Sequence, residues 1–308
     1  MGSTRHGERS LASARDDLRR ALRMAGMRPM PRWPARSRVD LRGKRILLTG
    51  ASSGIGEVAA RKLAAEGATI IAVARRKDRL TAVVDDIVAA GGAAIALPAD
   101  LADLDQVDGV VREAGPVDVL INNAARSIRR PLIDSLERWH DVERVMTLNY
   151  YAPLRLIRGV APGMIDRGDG HVINVATWRV LPESSPMFAA YNASKAALSA
   201  VSRVIDTEWG PSGVQSTTVY YPLVATPMIA PTRAYDGVAA LSADEAADWL
   251  VTAATTRPIR IAPRKALALR ALDVVAPRLL NDVLRRETDR MNAKTAMTEP
   301  LRRGSPRP

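Results

Sequence analysis

The middle of the chain alternates between two hydrophobic periods. Short runs of β-branched and aliphatic residues fall at Arg45–Thr49, Thr69–Ala74, Ala93–Pro98, Val117–Ile121, His171–Val175 and Val214–Tyr220. Stretches of helical composition separate them, at Ile55–Glu66, Arg79–Ala90, Asp103–Ala114, Ser135–Arg167 and Ala189–Gly210. Strands that are apolar at nearly every position suit a sheet buried on both sides. Regular strand–helix alternation with no helix-free block predicts an α/β fold with a parallel sheet between two helical layers. Gly91-Gly92 and Gly168-Asp169-Gly170 read as helix stops ahead of strands. No internal repeat is visible.

The two ends depart from this pattern. Residues 1–39 hold ten arginines against Glu8, Asp16 and Asp17, a balance of +7, and residues 257–308 carry +8. Of the net +12, the middle therefore carries −3. Leu11, Leu18 and Leu22 line one face of a helix with Ala14, Ala21 and Ala25, while Arg15, Arg19, Arg20 and Arg23 face away. We read residues 1–39 as a basic arm that is mobile, meets another subunit or lies on a membrane surface. Residues 40–256 form the folded middle, and residues 257–308 a basic helical extension. A nucleic-acid enzyme would carry its positive field on the working domain, so nucleic acid is not expected as a partner.

Composition narrows the chemistry further. The 308 residues are 47% apolar, enough to bury a substantial core as one large domain or two small ones. The absence of cysteine excludes disulfides and thiolate chemistry, and three scattered histidines make a metal site unexpected. No apolar run reaches the ~18 residues of a membrane-spanning helix. A cytoplasmic protein is expected, with peripheral membrane contact through its basic ends.

"KRILLTGASSGIGEVAARKLAAEGA" places Gly50, Gly54 and Gly56 directly after the first strand, where the first helix opens. Glycines here let backbone N–H groups approach a pyrophosphate, and the helix N-terminus adds partial positive charge. Ser52, Ser53 and Ile55 complete the loop. The second strand ends in Arg75 and Arg76, where a carboxylate would accept the ribose hydroxyls of NAD. Two arginines suit a 2′-phosphate instead, so NADP(H) is favoured over NAD(H).

Further on, "YNASK" puts Tyr191 and Lys195 four residues apart, on one helix face. A tyrosine ionises near pH ~10, so proton transfer near neutrality needs a depressed pKa, which a neighbouring ammonium supplies. A hydroxyl partner to polarise the substrate oxygen is open among Thr177, Ser184 and Ser185.

"TGASSGIG" (Thr49–Gly56), "ADL" with Asp100, "NNAA" (Asn122–Ala125), Asn149 and "YNASK" occur in order and at matching spacing. Together they resemble the short-chain dehydrogenase/reductase family over residues 40–256, whose usual third motif is NNAG. The resemblance implies a single Rossmann-type doubly wound domain and homodimers or homotetramers. It implies Tyr191 as acid and base, with Lys195 lowering its pKa and holding the nicotinamide ribose. Asn149 would position a water in a proton relay. Asp100 and Leu101 would flank the adenine, and Asn122 and Ala124 would lie along the cofactor.

Two departures stand out. The family's serine commonly precedes the tyrosine by thirteen residues, a count that lands on Trp178. Aligning "INVAT" on the strand end puts Thr177 in that slot, with a loop one residue longer. The family's Pro-Gly pair after the sixth strand is here Pro222-Leu223, in a stretch that with Val224 and Thr226 passes over the nicotinamide. Met228–Leu241 would follow as a lid suited to an apolar substrate.

"INVATW", "PLVATPMIAPT" and "LSADEAADWL" are similar to the reductase domain of bacterial fatty acyl-CoA reductases. The expected activity is NADP(H)-dependent reduction of a lipophilic carbonyl such as a fatty aldehyde or acyl-CoA. The alternatives are a 3-oxoacyl or hydroxysteroid dehydrogenase and, from another class, a non-catalytic NADP-binding regulator.

Overall fold

The apolar runs become strands of one sheet. The structure is a computed structural model that describes residues 24–29, 38–230 and 232–298. The strands are β1 (Arg45–Thr49), β2 (Thr69–Ala74), β3 (Ala93–Pro98), β4 (Val119–Asn122), β5 (Gly170–Thr177), β6 (Val214–Tyr221) and β7 (Arg260–Ile261). All pair in parallel in the order β3-β2-β1-β4-β5-β6-β7. Strand order reverses between β1 and β4, so a crevice opens at their carboxyl ends, the place where such sheets hold ligands.

Helices α1 (Gly54–Ala65), α2 (Lys77–Ala89), α3 (Leu104–Ala114), α4 (Trp139–Met146), α5 (Ala152–Asp166) and α6 (Ala189–Glu208) follow the expected stretches. Successive strand residues point to opposite faces, and both faces are covered. Ile46 and Leu48 pack with Leu63, Ile70 and Leu250 on one side; Leu47 packs with Ile71, Val107, Leu156 and Leu198 on the other.

The stretch read as one helix over Ser135–Arg167 is broken. A 3-10 turn (Ile133–Ser135) precedes α4, and a π turn (Thr147–Tyr151) separates α4 from α5. Pro153 is the second residue of α5 and has no N–H to give the Asn149 carbonyl, which relieves the regular ladder just where the coil widens. The turn holds Asn149 fully buried.

Beyond β6 lie α7 (Ala243–Thr256), α8 (Arg264–Val275) and α9 (Pro277–Thr298). A capping box opens α7: Ser242 Oγ accepts from the Glu245 N–H at 3.1 Å while Glu245 accepts from the Ser242 N–H at 2.8 Å. β7 adds to β6 at the sheet edge. Residues 24–29 reach the start of α8, where Arg264 N–H donates to the Arg28 carbonyl at 3.2 Å. The helical face of Leu11, Leu18 and Leu22 lies outside the described residues. No described helix is long and apolar enough to cross a membrane. Among the described residues no cluster of His, Cys, Asp and Glu could hold a metal.

Candidate active site

The glycine loop has no room for side chains. Gly50 and Gly54 sit at φ of +71° and +57°, where glycine alone is unstrained. A Cβ on Gly56 would lie 2.2 Å from the Gly50 carbonyl oxygen. Ser53 begins α1 in extended conformation and makes no side-chain cap, so the first amides of the helix stay available. The adjoining motif is stapled to β1: Thr49 Oγ1 accepts from the N–H groups of Asn123 and Ala124 at 2.9 and 3.0 Å. Asn123 Nδ2 donates back to the Thr49 carbonyl at 2.9 Å. Thr49 and Asn123 shape the loop, a role that the motif order hinted at but the sequence reading did not assign.

A cavity of about 1500 Å³ runs over the carboxyl ends of the strands. Gly50, Ser52, Ser53, Gly54, Ile55, Arg75, Arg76, Asp100, Leu101 and Ala124 line one end. Arg76 donates to Ser53 Oγ at 2.9 Å, and Arg75 lies 3.7 Å from Asp100. Thr177, Tyr191, Lys195, Pro222, Val224 and Thr226 line the middle. The far end is walled by Trp178, Phe188, Met228, Ile229, Tyr235 and Val238. Helix α9 closes it with Val283, Arg286, Glu287 and Arg290, and Gly26 and Met27 contribute from the N-terminal side. No local sequence signal joins these last residues to the site; only the packing of distant segments does.

Gly56, Asn122 and Asn149 lie behind the cavity wall, not in it. Gly56 faces the Gly50 backbone. Asn122 was expected alongside a cofactor, but it is buried at the end of β4 and donates to Asn174 Oδ1 at 2.8 Å. Its neighbours Asn123 and Ala124 line the cavity instead. Strand alternation explains the exchange, since Asn122 still belongs to β4. Asn149 supports the wall through three bonds: it accepts from Arg126 N–H at 2.8 Å and donates to Arg126 O at 2.9 Å and Ser194 Oγ at 3.0 Å.

Thr177 ends β5 and lines the cavity, as Tyr191 does, and its hydroxyl oxygen accepts a long bond of 3.4 Å from Arg179 N–H. Ser184 and Ser185 do not line the cavity. Lys195 is 1% exposed and donates from Nζ to the Val175 carbonyl at 2.8 Å. Burial brings the Lys195 ammonium down to about 7. Burial also pushes the Tyr191 phenol up to about 12, with the Arg179 charge acting in the opposite direction. The spacing of Tyr191 and Lys195 led us to expect a depressed phenol. Desolvation outweighs that effect, because the lysine is committed to a strand carbonyl and is itself only partly charged near neutrality.

This geometry matches known proteins. The family model described as short chain dehydrogenase matches residues 44–236. Over 285 residues the chain is 62% identical to Fatty acyl-CoA reductase Rv0547c of Mycobacterium tuberculosis, covering 89% of this chain and 97% of that protein. Over 248 residues it is 43% identical to Fatty acyl-CoA reductase of Acinetobacter baylyi, covering 79% and 84%. Among solved structures, a metagenomic short-chain oxidoreductase in complex with NADP is 32% identical with a TM-score of 0.60, covering 70% of this chain and 92% of that one. A 3-oxoacyl (acyl-carrier-protein) reductase from Agrobacterium tumefaciens with NADP bound is 25% identical with a TM-score of 0.64, covering 74% and 90%. From sheet order, glycine cradle and these likenesses together, the chain belongs to the short-chain dehydrogenase/reductase family of oxidoreductases, which act on carbonyl and CH–OH groups.

Proposed function

We propose that this oxidoreductase reduces a lipophilic carbonyl, a fatty aldehyde or fatty acyl thioester, and prefers NADP(H) to NAD(H). The observation that carries the reading is the continuity of the cavity, from the glycine loop and Arg75–Arg76, past Tyr191, to an aromatic and aliphatic wall. The two fatty acyl-CoA reductases among the relatives support the substrate class. The relatives with NADP bound support a nicotinamide cofactor.

The residues fit such a cofactor. A Cβ would fill the cradle at Gly54, where Thr226 Cγ2 would stand 3.2 Å away. The Ser53 end of α1 offers amides to a pyrophosphate, and Arg75 and Arg76 offer charge to a 2′-phosphate. When bound, the nicotinamide supplies the hydride. Tyr191 then gives its proton to the substrate oxygen, and Thr177 donates a hydrogen bond to that oxygen as charge grows. Lys195 would hold the ribose side, and a water positioned by Asn149 would bring its replacement proton. Val224 and Thr226 cover the reacting face, while Met228, Ile229 and Tyr235 keep water from it.

Assembly into a homo-oligomer is supported by a run of exposed apolar side chains, Leu132, Ile133, Leu136 and Trp139, 66–71% accessible. Peripheral membrane contact through the basic ends belongs to the same proposal.

A turnover screen with NADPH and NADH against fatty aldehydes, acyl-CoAs, 3-oxoacyl thioesters and ketosteroids tests the reading. We expect NADPH oxidation with the fatty aldehydes or acyl-CoAs. Turnover confined to 3-oxoacyl thioesters or ketosteroids would overturn it.

A further inference from the structure

Arg179 follows Thr177 by two residues, on the 3-10 turn Trp178–Val180, and its side chain lines the substrate end of the cavity. Its Cζ lies 5.4 Å from the Trp178 ring centre and 4.9 Å from that of Phe188. Tyr191 stands on the same aromatic group, its ring 6.2 Å from Phe188. Among the described residues the guanidinium has no carboxylate within 4.0 Å and no side-chain hydrogen bond. Glu287 faces it from α9 without reaching it, Tyr235 faces it from the lid, and Arg129 repels it from the loop after β4. Aromatic faces hold a cation in place but do not neutralise it.

Arg179 is half-buried in the cavity wall and has no anionic partner there among the described residues, so a negative charge arising in the cavity during function would meet it favourably. The reaction creates one nearby. As hydride adds to the carbonyl carbon, the C=O electron pair moves to oxygen. Tyr191 delivers its proton there and is left as a phenolate. Whichever oxygen holds the proton, one negative charge lies between the phenol and the substrate.

We propose that Arg179 is the cation that stabilises this charge, acting through Tyr191 as a positioning residue for the acid–base step. It is suited to that task because it keeps its charge at all working pH values, whereas Lys195 donates to the Val175 carbonyl. The inference rests on Tyr191 as the proton carrier. Arg179 and Tyr235 are the charged or titratable groups that act on the phenol, Glu287 and Arg129 act on it through Arg179, and Lys265 shares the Trp178 ring at 5.9 Å.

The test is the pH dependence of kcat for the full-length chain in the alcohol-oxidising direction, where activity rises as Tyr191 ionises. Removing a cation disfavours the phenolate, so Arg179→Gln should shift the rising limb to higher pH by about one unit, a tenfold loss below it. Arg179→Lys should keep most of the wild-type limb. Glu287→Gln removes the opposing charge and should move the limb slightly lower, which keeps the test available should Arg179→Gln not fold. Tyr191→Phe should abolish turnover. A limb unmoved in both Arg179→Gln and Glu287→Gln, with Tyr191→Phe inactive, overturns this inference alone. Activity surviving in Tyr191→Phe overturns the acid–base reading beneath it.

Discussion

Thr177→Val is the sharpest test of the site. Valine keeps the shape of threonine and removes only the hydroxyl. Thr177 is 7% exposed, and among the described residues its oxygen makes one contact, the 3.4 Å bond from Arg179 N–H. Losing so long a bond should cost the folded state no more than about 1 kcal/mol, a Tm shift of about 2–4 °C for a chain of this size. Among the described residues the hydroxyl proton has no acceptor, which leaves it to meet a substrate oxygen. If it strengthens as charge develops there, kcat should fall by about 10²-fold, or about 2.7 kcal/mol. The catalytic loss would then clearly exceed the stability loss, which a general packing defect would not produce. Thr177→Ser keeps the donor and should retain activity. The assay is steady-state NADPH oxidation with the best substrate of the screen, alongside thermal melts of each variant. Ser184→Ala and Ser185→Ala should change kcat by less than about threefold, or about 0.7 kcal/mol. If either serine variant is inactive while Thr177→Val turns over normally, the assignment of the donor is wrong.

Three further outcomes are expected. NADPH should bind at least tenfold tighter than NADH, about 1.4 kcal/mol, and Arg76→Gln should erase most of that difference in a fluorescence titration. Gly56→Ala places a Cβ 2.2 Å from the Gly50 oxygen and 2.7 Å from Asn123 Nδ2, so the loop must move. Weakened NADPH binding with a lowered Tm is expected, and unchanged binding would contradict the cradle. His171 is fully buried on β5 beside Thr217 Oγ1 at 2.9 Å, and burial, with the Arg257 charge, brings it down to about 3. An unfolded histidine takes its proton near pH ~6.5. Its contribution to stability is therefore intact above that value and is lost as pH falls from ~6.5 toward 3. His171→Gln should flatten the fall of the urea midpoint through that window; an unaltered slope would refute the assignment.

The fold and the cofactor end of the site were legible in the sequence because both depend on short-range signals. Apolar runs of strand length, helical stretches between them and glycines at a strand–helix junction each act within about a dozen residues. Tyr191 and Lys195 could be paired because one helical turn brings them together. Other features required the folded chain. The break at Asn149 follows from Pro153 acting on a carbonyl four residues back, a local cause that the apolar pattern of one long helix concealed. The Ser242–Glu245 capping box was likewise present in the sequence, but α7 was not read from it. The substrate end is different in kind. Trp178, Phe188, Tyr235 and Glu287 come from four separate segments, and nothing in any one of them specifies the others. Charge state lies furthest from the sequence. The spacing of Tyr191 and Lys195 says that they are neighbours, but burial decides what each neighbour does. Desolvation drives phenol and ammonium toward their neutral forms and leaves Arg179, which cannot give up its proton, as the lasting charge beside them.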